Sequence, residues 1–146
     1  MQWQADFAEY IGLNVTLSYA PPESLSTQDM INISKAASVG NICVVIDNLQ
    51  SGTDFGARIS SESGASHVIF TNFPEALPGT DTYLDMIRYN TNQLINGIST
   101  YEYKQGEIAE LEKTISAIEL QRNFSIFGVV ILALLTIIFI ILYKRK

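Results

Sequence analysis

The sequence predicts an α/β fold: a small parallel sheet flanked by helices, then a long helical stalk and one transmembrane helix. Three observations carry this. Helix-period and strand-period segments alternate through residues 1–98. The run "NICVVID" has no polar face, as in strands buried on both sides of a parallel sheet. Residues 124–143, "FSIFGVVILALLTIIFIILY", hold 20 positions without a charge, enough at about 1.5 Å each to cross about 30 Å of hydrocarbon.

The elements follow in order. Trp3, Phe7 and Tyr10 or Ile11 fall at helical spacing in "WQADFAEYI", and Gly12 stops that helix. "LNVTLSYA" alternates Leu13, Val15, Leu17 and Tyr19 as a first strand would, before the turn pair Pro21-Pro22. Ser26 or Thr27 caps a helix through "QDMINISKAAS", with Met30, Ile33, Ala36 and Ala37 as its buried stripe and Gly40 as its end. "NICVVID" is the second strand, "SGTDFGARISSES" a helix, Gly64 a break and "SHVIFTN" the third strand. A long helix begins near Thr82. Ligands of such sheets gather outside the carboxyl ends of the strands, where loops 20–26, 47–54 and 71–81 are expected.

Four regions are expected: the α/β domain at 1–98, a stalk at 99–123, the span at 124–143 and a basic tail at 144–146. Gly97 and Gly106 each weaken the helix by about 1 kcal/mol relative to Ala, which predicts a bend or break between domain and stalk. Ile108, Leu111, Ile115 and Ile118 repeat at spacings of 3, 4 and 3. Two heptads fit a short coiled-coil seam and a solvated stalk leaning on its own domain equally well. A soluble core helix would not be apolar on every face and end in "YKRK".

Residues 1–123 contain six basic and 15 acidic side chains, a formal charge of −9, so nucleic acid is not an expected partner. Basic residues after a span favour the cytoplasmic side, which predicts a single-pass cell-membrane protein with its acidic domain outside and its C-terminus inside. The opening "MQWQADFAEYIGLNV" has neither the basic leader nor the apolar core of a signal peptide. Two expectations result: a tail-anchored cytosolic protein, or a chain whose true beginning lies upstream. Cys43 is the single cysteine, read as a small buried side chain, and the glycosylation triplets at Asn14, Asn32 and Asn123 match chance expectation.

Among residues that could carry chemistry, Asp81 precedes Thr82-Tyr83-Leu84-Asp85, itself a capping-box pattern. Thr82 can therefore start the helix, leaving Asp81 either a structural turn residue or a carboxylate able to meet a cation. Asp47 ends "VVID", near the ligand edge yet equally able to cap the following helix. His67, at the start of a strand, reads as a satisfied, partly buried side chain. Trp3 and Tyr19 read as core packing. No phosphate-binding loop and no Ser, His and Asp set in a known context is present, so no enzymatic activity is expected.

Taken together, "PPESLSTQDMINI", "VVIDNLQSGTDFGARISSESGASHVIFTNFP" and "PGTDTYLDMIRYNTNQLINGI" resemble the carboxyl-terminal lobe of the zinc- and manganese-type substrate-binding proteins of ABC transporters. The resemblance covers about residues 1–98 and is sharpest at Gly79, Asp81, Tyr83, Met86 and Asn90. It implies one lobe of a two-lobed protein with a metal between the lobes, zinc or manganese as the ligand, and a permease as partner. It also implies Asp81 as a metal ligand; Glu23 would hold loop geometry or, more weakly, coordinate. The departures are that the lobe bringing two histidines is missing from this chain, a third ligand would fall near Met1 and Gln2, and the strand before "MQWQADF" is missing, which leaves a sheet edge exposed. The abrupt start suggests a half-protein that needs a separate lobe.

The resulting expectation is a membrane-anchored solute-binding component of a metal-ion ABC transporter, capturing a divalent cation with Asp81. The alternatives are an anchored interaction or structural domain of the same fold without metal, and a binding protein for a larger chelate with an aromatic-walled cleft.

Overall fold

In the computed structural model, which describes residues 1–145, the chain divides into two compact units, Met1–Lys104 and Gln105–Lys146. The first holds helices α1 (Ala5–Tyr10), α2 (Thr27–Val39) and α3 (Asp54–Ser63), strands β1 (Val44–Asn48) and β2 (Ser66–Phe70), and the start of α4 (Tyr83–Lys144). The sheet is parallel and two-stranded, with Val44 opposite Ser66 and Asn48 opposite Phe70. A small parallel sheet among helices agrees with the predicted class.

Local chemistry sets the helix boundaries. Ser26 and Asp29 form a reciprocal capping box at the start of α2, as Ser26 in the sequence allows, and Gly40 follows its last turn. Gly64 ends α3 in the left-handed region at φ 76°, where a side chain would be strained. Thr82 Oγ1 accepts from Asp85 N at 3.2 Å and donates to Asp85 Oδ2 at 2.6 Å, so Thr82 and not Asp81 opens α4.

Strand parity divides the core between two faces. Val45 packs with Tyr19, Ala37, Phe55, Ile59 and Ala65 on the side of α2 and α3. Val68 and Phe70 pack with Leu94 of α4 on the other, where Leu13, Val44, Ile46 and Ile98 join them. Met86, Asn90, Leu94 and Gly97 are the buried positions of α4, spaced one turn apart. The Asn90 side chain clamps the end of β2, accepting from Thr71 N at 3.0 Å and donating to Thr71 O at 2.9 Å.

Several expectations are corrected. Residues 13–20 form no helix and belong to no sheet, because alternation alone does not make a strand without a hydrogen-bonded neighbour. In the first helical segment Gln4 and Ala8 face inward, while Trp3 is 55% and Tyr10 89% exposed, so the buried stripe is turned one position from the aromatic one. Ala36 is exposed and Ala37 buried, which narrows the α2 stripe. Cys43 is half-buried rather than buried. The helix continues through Gly97 and Gly106. Gly97 serves close packing: a Cβ there would lie 2.4 Å from Val68 Cγ2.

In the second unit α4 carries the predicted apolar run. Among the described residues one helix is long and apolar enough to cross a membrane, and none of its most apolar window is buried. Ile108, Leu111, Ile115 and Ile118 are all about half exposed or more.

Asn90→Ala should remove both bonds to Thr71 and leave a buried peptide N–H and C=O unsatisfied, a cost of about 2–4 kcal/mol. A lower urea midpoint with unchanged slope is the expected result.

Candidate functional site

The carboxyl end of β1 centres on Asp47, which is fully buried. Parity puts Asp47 on the same face as Val45, and a parallel ladder puts His67 of β2 beside it. Tyr19 donates its hydroxyl to Asp47 Oδ1 at 2.5 Å, and His67 Nε2 stands 2.9 Å from Oδ2, placed to donate. Both carboxylate oxygens are thus engaged inside the fold. On the third side α3 comes so close that a Cβ on Gly56 would lie 1.9 Å from Asp47 Oδ2. Burial holds the Tyr19 phenol well above its ordinary range, reinforced by its bond to Asp47 and by that group's charge. The Tyr19 ring also meets Phe55 edge to face at 5.4 Å between centroids.

Asp47 does not cap the next segment, one of the two roles its position allows. Asn48 does so, accepting from Gln50 N at 2.8 Å. His67 is the partly buried, satisfied histidine expected from its place in the strand. The Tyr19–Asp47–His67 network joins residues 28 and 20 positions apart, so no local pattern announces it. The one available signal was parity: Asp47 stands two residues after inward Val45, in a run otherwise apolar.

The two residues expected to hold metal lie elsewhere. Asp81 is exposed, just outside the Thr82 cap, after a turn in which Thr80 ties back to Leu77 through its hydroxyl at 2.7 Å. Glu23 is exposed on the short 3₁₀ turn Pro22–Ser24, held by Ser24 Oγ donating to Pro21 O at 2.8 Å. Neither lines either of the two cavities described below. Among the described residues no group of three or more His, Cys, Asp or Glu side chains is arranged to hold a metal ion.

A cavity of about 410 Å³ runs along the edge of β1 that β2 does not occupy, between Cys43–Ile46 and the segment 13–17. Its floor is Met1, Gln4 and Ala8, and no charged side chain lines it. Gln4 is 5% exposed, and neither its Nε2 nor its Oε1 has a hydrogen-bond partner. Helical spacing of Trp3 and Phe7 puts Gln4 off the apolar stripe, so no sequence pattern points to this amide. A second, shallower trough lies beside β2, lined by Ser66, His67, Asn96 and Lys104.

No family model, no characterised relative and no solved structure matches this chain.

The raised Tyr19 ionisation fixes a pH dependence. Below the ordinary value of 10.0 both folded and unfolded chains keep the proton, and this contribution to stability is whole. As pH rises past 10.0 the unfolded chain releases the proton while the folded chain holds it, so stability falls. Denaturant midpoints of wild type should therefore drop more steeply above that pH than those of Tyr19→Phe.

Proposed function

We propose that the protein is a membrane-anchored interaction module: an acidic α/β domain held at the cell membrane by the apolar part of α4, acting by binding and not by bond chemistry. The observation that carries this reading is the separation of carboxylates from cavities. Asp47 is spent inside the fold, Asp81 and Glu23 stand outside both cavities, and no charged side chain lines the larger cavity. A site of that chemistry suits an uncharged segment of a partner, since burying an unpaired charge there is costly. The basic residues after the span support a cytoplasmic C-terminus and an outward domain.

The solute-binding reading keeps one observation in its favour. With Thr82 capping α4, Asp81 makes no hydrogen bond of its own and is free to meet a cation whose other ligands come from a separate lobe. A zinc- or manganese-type ABC permease would then be the partner.

Titration of the full chain in detergent micelles with zinc and with manganese separates the two. The interaction reading expects weak, equal heats from wild type and Asp81→Ala. Saturable binding that Asp81→Ala abolishes would overturn it in favour of metal capture. Alkaline carbonate extraction of membranes tests the anchor: the chain should stay in the pellet, and its release would exclude a spanning helix.

A further inference from the structure

The larger cavity has a shape and an arrangement of unpaired groups that specify more than an apolar hollow. In the β1–β2 ladder Cys43 O accepts from Ser66 N at 2.9 Å, which turns the Cys43, Val45 and Asp47 peptide groups toward β2. Val44 and Ile46 must then point the other way, and Ile46 O confirms it by accepting from the Met1 main-chain nitrogen at 2.8 Å. The N–H groups of Val44 and Ile46 and the C=O of Val44 face the cavity, and no backbone partner reaches them from the segment opposite. Strand edges left in this state are templates for another strand.

We propose that this slot binds an extended, uncharged peptide segment of a partner protein, which adds to β1 as a third strand. Four features select that occupant. The unpaired groups recur every second residue, the spacing an added strand reads. Gln4 offers one donor and one acceptor from a buried, unpartnered amide, the complement of a peptide unit. The walls are apolar on both sides of the edge, Tyr19 and Ile59 on one and Leu13 and Ile98 on the other, so both faces of the incoming strand meet hydrophobic surface. No charged side chain lines the slot, and the Met1 amine, its pKa lowered by burial to about 6, is bonded to Ile46 O, which disfavours Asp, Glu, Lys and Arg at the inserted positions. At about 3.3 Å per residue the edge from Cys43 to Ile46 accommodates four or five residues, with Met1 closing one end. A compact small molecule would satisfy Gln4 or the β1 edge, but not the repeat of both.

This inference rests on the interaction reading and names the chemistry of its partner. The test uses the full chain in detergent micelles with the capped peptide acetyl-Ala-Val-Thr-Val-Ala-amide, read by amide hydrogen exchange at Val44 and Ile46. Saturable slowing of both amides by about tenfold or more is expected, weakened at least about tenfold when the central Thr is replaced by Glu or alternate peptide nitrogens are methylated. Gln4→Leu should weaken the effect, and Val15→Phe on the loop wall should block it while leaving β2 amides protected as before. Equal slowing by the charged or methylated peptide would overturn strand addition. So would 1-octanol displacing the peptide, which would mark a lipid-like pocket, or concentration-dependent protection without peptide, which would mark a second copy of the chain as occupant. No slowing at any peptide concentration sinks the proposal alone, because the metal titration and the membrane extraction stand apart from it.

Discussion

A buried carboxylate without water must find its hydrogen bonds inside the protein, and Asp47 finds them in residues from two other parts of the chain. Tyr19 comes from the segment before α2, His67 from β2, and Gly56 makes room by bringing α3 against the same oxygens. The interaction fixes where the Tyr19 end of the 13–20 segment lies, together with Gln2 N donating to Tyr19 O at 2.8 Å, while Leu13 N donating to Ala8 O at 2.9 Å holds the other end. Without Tyr19 tied to Asp47, the outer wall of the β1-edge cavity loses its side-chain anchor. The shape of the candidate site thus depends on a polar contact that does not itself line up with any ligand.

The opposite face of the sheet is organised by α4. Asn90 bonds both main-chain polar groups of Thr71, and Gly97 lets the helix approach Val68 more closely than any side chain would allow. The helix that fixes the sheet's second face is the same one that carries the apolar run from 124 to 143. Core packing and a run long and apolar enough to cross a membrane thus share one secondary-structure element.

What was legible in the sequence is what local chemistry decides. Ser26 with Asp29, Thr82 with Asp85 and the left-handed Gly64 mark helix ends through contacts a few residues apart, and "VVID" and "SHVIF" announce buried strands by apolarity. Contacts between distant residues were not legible. The alternation in "LNVTLSYA" correctly turned Leu13, Val15 and Tyr19 inward but could not supply the neighbouring strand. Trp3 and Phe7 looked like the inner stripe of the first helix, yet a 3₁₀ start at Gln2–Gln4 turns Gln4 and Ala8 inward instead. Asp81 can be placed at a helix start from its neighbours; whether other ligands converge on it depends on tertiary structure, and among the described residues it belongs to no group of three or more His, Cys, Asp or Glu side chains arranged to hold a metal ion.

Asp47 acts as a structural tie, and Tyr19 is held by it. A double-mutant cycle of Tyr19→Phe and Asp47→Asn, measured by urea unfolding of the full chain in micelles, tests it most directly. A coupling energy of about 1–3 kcal/mol between the two sites is expected. Strictly additive losses would contradict it, and would leave the 13–20 segment held by its apolar contacts and its backbone bonds at Leu13 and Tyr19.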